Sequence, residues 1–250
     1  MRTNGSKSRE TSISTLSERF EVFVKTLDGF ESIDELLENE NPQGKKRADY
    51  LVRNREFVIE QKVLKSDPVG RPQKFVDKLS ARRGIVTFGK VSTNQIFAGQ
   101  PDANNLQRRM VLDLTRIIDD NVAAADKQTA DTRAIFNIPD STGILLLLNE
   151  SAAFLRPGVI HYALANSFQK RAESGAYRYA ANDGVILISE ANSIVADPNR
   201  PVFPILTFTS PEKKRAASVR KFAESMMKQW AAFNRAPLIT VPVDINLKAR

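Results

Sequence analysis

Residues 47–64 read RADYLVRNREFVIEQKVL, and this stretch contains two β-prone runs on either side of Asn54 and Arg55. A two-residue turn at that pair predicts an antiparallel hairpin in which the numbers of facing residues add up to 109. Asp49 is then opposite Glu60, and Lys62 shares their face, because residues two apart on a strand point to the same side of a sheet. The same register predicts the pairs Leu51 with Val58, Tyr50 with Ile59, Val52 with Phe57 and Arg53 with Glu56.

The acidic pair of this hairpin lies among apolar neighbours. The run from Phe57 to Leu64 is mostly apolar around Glu60 and Lys62, as in a half-buried strand. Two carboxylates directly opposite each other repel, because their β-carbons are only about 5 Å apart. A divalent metal ion and an adjacent lysine would relieve that repulsion, so the pattern indicates a metal site. The alternative is a solvated hairpin face on which these residues are ordinary surface charges.

The spacing of Asp49, Glu60 and Lys62 resembles the motif of the PD-(D/E)XK nuclease superfamily, an Asp on one strand and Glu-x-Lys on the next. Gln61 stands at the variable middle position. Ala48 replaces the proline of the family name, at a position that varies within the superfamily. The resemblance covers residues 15–65 and implies a restriction-endonuclease-like core, in the order helix, antiparallel hairpin, helix and strand.

The resemblance also implies an activity, that of a metal-dependent nuclease hydrolysing phosphodiester bonds, and in particular a DNA endonuclease of restriction or defence type. In such an enzyme Asp49, Glu60 and the backbone carbonyl of Gln61 bind Mg²⁺, for which Mn²⁺ substitutes. Lys62 orients or deprotonates the attacking water, or stabilises the developing negative charge. Some members add an acid from the preceding helix. Glu18, Glu21, Glu31 and Glu35 are candidates by position, and Glu21 is favoured because it flanks the apolar stripe.

The charge of the chain favours a polyanionic partner. The net charge is +8, and residues 211–250 contain nine Lys and Arg against three Asp and Glu. Basic surfaces attract nucleic acid through phosphate contacts and counterion release. Combined with the hairpin motif, this predicts binding of nucleic acid, DNA rather than RNA. Two basic segments are predicted to contact it, and they contribute Arg71, Lys74, Arg82, Arg83, Lys213, Lys214 and Arg215.

Two other function classes compete with the nuclease. One is a non-catalytic nucleic-acid-binding protein on the same fold, and the other is a structural or interaction protein in which the acid pair is a coincidence. The intact set of Asp49, Glu60 and Lys62 favours the nuclease, because a protein that only binds gains nothing from acids facing phosphate. Double-strand cleavage with one active site per chain would favour a homodimer.

The composition sets the remaining expectations. The 250 residues, 42% of them hydrophobic, suit a single α/β domain over 13–250 that follows a disordered tail over 1–12. The absence of cysteine excludes disulfides, thiolate metal sites and a cysteine nucleophile. The most apolar run, Ile144–Leu148, is too short to span a membrane, and no segment resembles a signal peptide, so a cytoplasmic protein without membrane contact is predicted.

Periodicity predicts a mixed central sheet flanked by helices. The apolar stripe Leu16, Phe20, Phe23, Val24 and Leu27 indicates a first helix, and Pro157 suits the first position of a later one. The other predicted elements are a loop over 65–74, strands over 84–90, 133–138, 144–148, 184–190 and 203–208, and helices over 104–122 and 211–234.

Overall fold

The computed structural model describes residues 14–37, 46–66, 70–84, 97, 100–192, 194–197, 200–210 and 212–239, without the side chains of 71–73 and 194–201. The predicted tail over 1–12 lies outside these residues. The predicted strand over 84–90 also lies outside them, except for Gly84. None of the described helices combines the length and the apolar character needed to cross a bilayer.

The fold is α/β, with a six-stranded mixed sheet as its centre. The described strands are β1 (Glu31–Ser32), β2 (Tyr50–Val52), β3 (Phe57–Leu64), β4 (Thr142–Asn149), β5 (Gly184–Ser189), β6 (Ile194–Asp197), β7 (Arg200–Val202) and β8 (Ile205–Phe208). The sheet order is β1-β2-β3-β4-β5-β8, and β6 pairs with β7 separately. Strands β3, β4 and β5 are parallel, whereas the β1–β2, β2–β3 and β5–β8 pairs are antiparallel.

Seven helices are seen in the described part of the chain. They are α1 (Leu16–Val24), α2 (Ile33–Leu36), α3 (Gly70–Arg83), α4 (Ala103–Leu114), α5 (Arg116–Phe136), α6 (Pro157–Gln169) and α7 (Ala216–Phe233). The Thr15 side chain accepts from the Glu18 amide and the Glu18 side chain accepts from the Thr15 amide, a capping box that starts α1. The chain therefore contains the predicted order of helix, antiparallel hairpin, helix and strand.

The sheet separates two apolar layers. On one face α1 and α7 pack against alternate strand residues, among them Ile59, Leu146 and Ile186. On the other face α5 and α6 pack against Leu145 and Leu147, together with other strand residues. Parallel β3, β4 and β5 are covered on both faces, which explains why the run Ile144–Leu148 is apolar at every position.

The hairpin has the predicted register. The observed pairs are Tyr50 with Ile59, Leu51 with Val58 and Val52 with Phe57. Asn54 and Arg55 have positive φ angles of 52° and 68°, as the two central residues of a type I′ turn require. Gly29 packs against this turn, and a Cβ there would lie 2.6 Å from the Asn54 nitrogen. Gly29 thus permits the close approach that supports the hairpin.

Three predictions of secondary structure were wrong. Residues 70–74, predicted as loop, form the first turn of helix α3. The helix tolerates Pro72 because it is the third helical residue, whose N–H would have no intrahelical partner. Residues 133–136, predicted as strand, continue α5, which ends with Asn137 in the left-handed conformation. The single helix predicted over 104–122 is broken at Thr115 into α4 and α5.

Candidate metal and catalytic site

The three motif residues lie on the sheet face that α5 covers. Glu60 is in register with Leu145 and Lys62 with Leu147, two residues that pack against α5 and α6. The regular pairing of β2 and β3 begins with Tyr50 opposite Ile59. The backbone amide of Asp49 donates to the carbonyl of the same Ile59 at 3.1 Å, one residue out of the predicted register. Asp49 is thus not a ladder partner of Glu60, but it is close enough for its charge to raise the pKa of Glu60.

Backbone and side-chain contacts tie the three residues together. The amide of Gln61 donates to Asp49 Oδ2 at 2.6 Å, and Lys62 Nζ donates to Glu60 Oε1. Glu60 is only 1% exposed, whereas the Lys62 side chain is 29% exposed. Among the described residues Glu60 Oε2 is buried and receives no hydrogen bond of standard geometry, although the side chains of Asp49 and Gln128 are close to the carboxylate. A buried carboxylate oxygen without a donor is costly, and a bound cation would satisfy it.

Burial raises the pKa values of both acids, Asp49 and Glu60. It raises the pKa of Glu60 to about 7, an effect that the charge of Asp49 increases and the hydrogen bond from Lys62 opposes. Burial also raises the pKa of Asp49, against the opposing effects of the Gln61 amide and of Lys62. Two acids in one partly dry site resist carrying two negative charges together unless a cation joins them.

The oxygen donors suit a hard divalent cation. Backbone N–H and C=O groups of one strand residue point to the same edge, so the Gln61 carbonyl is directed to the edge where its amide meets Asp49. Mg²⁺ is commonly held by one or two carboxylates, with substrate phosphate and water as its other ligands. Among the described residues there is no cluster of three or more His, Cys, Asp or Glu side chains suited to a metal. The site therefore offers two carboxylates and one carbonyl, a Mg²⁺-type set rather than a closed cage.

Helix α5 adds residues that the sequence analysis did not include. The side-chain amide of Gln128 donates to the backbone carbonyl of Arg47 at 2.8 Å. Thr132 Oγ1 accepts from the backbone amide of Ala48 at 2.9 Å. Gln128 is also close enough to Glu60 to lower its pKa. These contacts fix the segment that leads into Asp49. No local pattern could show them, because about 80 residues separate the partners.

Glu21, the candidate helix acid, is not part of this cluster. It is exposed on α1, and α1 packs on the sheet face opposite to that of Glu60. Glu21 therefore does not contribute a third acid to this cluster.

The predicted nucleic-acid contacts fall into two groups. Lys74 and Arg82 are exposed on α3, and Arg83 pairs with Asp102 at 2.7 Å; the Arg71 side chain is outside the described residues. Lys213 is only 8% exposed and donates to the carbonyls of Tyr179 and Asn182 at 2.5 and 2.6 Å. This burial argues against the prediction that Lys213 contacts phosphate, because its ammonium already has buried acceptors.

The two residues that follow Lys213 are also poorly placed for the carboxylate site. Arg215 donates to the Asp140 carbonyl at 3.1 Å, and Lys214 is exposed just before α7. Helix α7 packs on the sheet face opposite to that of Glu60. A strand bound at the carboxylate site would therefore lie on the other side of the sheet from most α7 cations.

Comparisons of the chain with protein-family models, with curated proteins and with solved structures found no significant match.

The raised pKa of Glu60 predicts a stability that depends on pH in metal-free buffer. Between the ordinary value of 4.5 and about 7, folded Glu60 holds a proton that the unfolded chain has released. The free energy of unfolding should therefore fall as the pH rises through this range, by up to about 3 kcal/mol. Urea unfolding in EDTA across this pH range measures the slope.

Glu60→Gln should lose that part of the slope, because glutamine does not titrate. Glu35→Gln is the matched control, since Glu35 is an exposed acid on α2. Equal slopes in the parent and in Glu60→Gln would contradict the burial of an ionisable Glu60.

Proposed function

We propose that this protein is a metal-dependent nuclease of the PD-(D/E)XK type, which hydrolyses phosphodiester bonds and acts on DNA. The observation that carries the proposal is the meeting of Asp49, the buried Glu60 and Lys62 at the open end of one antiparallel hairpin. The order of helix, hairpin, crossover helix and parallel strand supports it. A restriction or defence role in the cytoplasm is the corresponding biological proposal.

Asp49, Glu60 and the Gln61 carbonyl would hold Mg²⁺ or Mn²⁺. When bound, such an ion shields the phosphate charge and lowers the pKa of water. Asp49 is held in place by the Gln61 amide, and the segment before it is held by Gln128 and Thr132 of α5. These contacts fix the carboxylates in advance, so that little reorganisation is needed when a phosphodiester arrives.

Lys62 would act on the attacking water or on the phosphate. Its ammonium contacts the Glu60 carboxylate and remains partly exposed, so it can reach a substrate from the wall of the site. An ammonium there stabilises negative charge that develops on the phosphate in the transition state. If Lys62 releases its proton, it can instead accept one from water.

Cleavage of plasmid and of single-stranded oligonucleotides in a Mg²⁺ and Mn²⁺ titration tests the proposal. We expect cleavage only with a divalent ion, and its complete loss in EDTA. A protein that binds the substrates without cutting them at any concentration of either ion would instead be a non-catalytic binder on the same fold. Comparing nicked with linear plasmid products would also show whether two copies of the chain act together.

A further inference from the structure

A groove separate from the carboxylate site opens between α3 and the layer formed by α4, α5 and α6. Its volume is about 1030 Å³. The α3–α4 pair lies between the hairpin and α5 in the chain and has its own small apolar cluster, which includes Val76, Leu79 and Leu106. The pair is therefore an addition to the core order of helix, hairpin, helix and strand, and the groove is formed where this addition meets α5 and α6.

Cations outnumber acids in this groove. The cations are Lys74, Lys78, Arg82, Arg109, Arg116 and Lys170, and the acids are Asp113, Asp119 and Asp120. Two of the acids are already paired, Asp119 with Lys170 at 2.6 Å and Asp120 with Arg116 at 4.0 Å. The lining therefore carries three more cations than acids, and Lys74, Lys78, Arg82 and Arg109 are exposed. This part of the groove has a positive potential that attracts an anionic chain.

The α3 cations form a row. Lys74, Lys78 and Arg82 are four residues apart, so they lie along one helix face at intervals of about 6 Å. That interval corresponds to roughly two base steps along the axis of a DNA duplex, at 3.4 Å per step. Phe75 and Leu112 add apolar surface to the same groove. A basic track beside apolar surface is typical of proteins that bind a strand by its backbone and bases.

The groove and the carboxylate site lie along a single helix. Arg116 at the start of α5 lines the groove, and Gln128 further along α5 is next to Glu60. The twelve residue steps from Arg116 to Gln128 span about 18 Å of helix axis, or roughly five base steps along a nucleic-acid helix. A substrate held in the groove could thus reach the carboxylates several nucleotides away.

We propose that this groove binds the phosphate backbone of the nucleic-acid substrate on one side of the cleaved bond. The inference rests on the proposed function, because it takes the bound strand to be the substrate. It differs from the predicted set of contacts in three ways. It adds Lys78 and Arg109 to the predicted Lys74 and Arg82, and it does not include the predicted Arg71 and Arg83. It also assigns no contact to Lys213, Lys214 or Arg215.

Fluorescence anisotropy of the full chain in EDTA tests the groove without any cleavage. The probes are labelled single strands and duplexes of ~20 nucleotides, longer than the spacing between groove and carboxylates. The groove variant is K74Q/K78Q/R82Q/R109Q. The matched control, K214Q/R220Q/K221Q/K228Q, removes the same charge from exposed positions in and just before α7.

We expect the groove variant to bind at least ~10-fold more weakly at low salt. The negative slope of log K against log salt should become less steep by about 3. The control should stay within about twofold of the parent, and the charge-conserving K74R/K78R should bind like the parent. Equal losses in the groove and control variants would overturn the proposal. So would a groove variant that binds like the parent, or a parent that binds neither probe at ~100 µM.

The result is independent of catalysis. If the groove variant loses binding but the parent cuts nothing with Mg²⁺ or Mn²⁺, the groove is confirmed as a nucleic-acid site and the nuclease proposal fails. If the parent cuts but the groove variant binds and cuts normally, the nuclease stands and the groove proposal fails.

Discussion

Lys62→Ala is expected to lower metal-dependent cleavage by about 10²- to 10⁴-fold, the usual contribution of a group that transfers a proton or stabilises a transition-state charge. The physical reason is the position of the Lys62 ammonium, which contacts Glu60 and is still partly exposed to a substrate. Binding of nucleic acid should be largely retained. Single-turnover cleavage with saturating Mg²⁺, together with anisotropy, separates these two effects.

Two further variants sharpen the test of Lys62. Lys228→Ala removes one exposed cation from α7, on the opposite side of the sheet, and should cleave at close to the parent rate. Lys62→Arg keeps the positive charge but releases its proton far less readily. Substantial activity in Lys62→Arg would assign charge stabilisation to Lys62, and its absence would favour the role of a base. Normal cleavage by Lys62→Ala would remove Lys62 from the mechanism.

Asp49→Asn is expected to abolish cleavage and also the stabilisation of the fold by Mg²⁺. A ligand raises the melting temperature only if it binds the folded state, and Asp49 is one of the two carboxylates available to hold the ion. Asparagine keeps an acceptor oxygen for the Gln61 amide, which donates to Asp49 at 2.6 Å. Loss of metal response in this variant therefore reports on the charge and not on a broken backbone contact.

The same variant predicts a change of stability in the absence of metal. The charge of Asp49 raises the pKa of the buried Glu60, so removing that charge relieves a repulsion. Asp49→Asn should thus be as stable as the parent in EDTA, or more stable, while the parent alone gains stability with Mg²⁺. Calorimetry with and without EDTA measures both effects. An equal response to Mg²⁺ in the two proteins would show that the ion binds elsewhere.

The sequence was sufficient to predict the hairpin because neighbouring residues determine both its turn and its register. A turn at Asn54 and Arg55 sets the register, and the period of two then assigns Glu60 and Lys62 to one face. The central strand was predicted for a similar reason, since the apolar run Ile144–Leu148 has no polar face. Both predictions depend on a few neighbouring residues and not on distant contacts.

Helix α5 was predicted only in part because its buried stripe does not look apolar. The stripe has helical spacing, but small and hydroxylated residues occupy its second half: Ile118, Val122, Ala125, Thr129 and Thr132. Small side chains let the helix approach the sheet closely at the site. A Cβ on Gly143, for example, would lie 2.6 Å from Thr129 Cγ2. The residues that support Asp49 were therefore missed together with the second half of the helix.

Lys213 shows the opposite error, a cation that looks like surface charge but is buried. Its ammonium donates to carbonyls of Tyr179 and Asn182, a segment more than 30 residues earlier in the chain. Burial of an ammonium requires such acceptors, and nothing near Lys213 in the sequence reveals them. Net charge counts all cations alike, and only the fold separates the exposed α3 cations from the buried Lys213.

The most direct test of the central claim is a crystal structure of the protein soaked with Mn²⁺, with the ion located by its anomalous signal. We expect a peak about 2.1 Å from carboxylate oxygens of Asp49 and Glu60 and from the Gln61 carbonyl, and no peak there in Asp49→Asn crystals. A parent structure with Mn²⁺ bound elsewhere, or with no ion between Asp49 and Glu60 at saturating concentration, would contradict the assignment of this hairpin as a metal site.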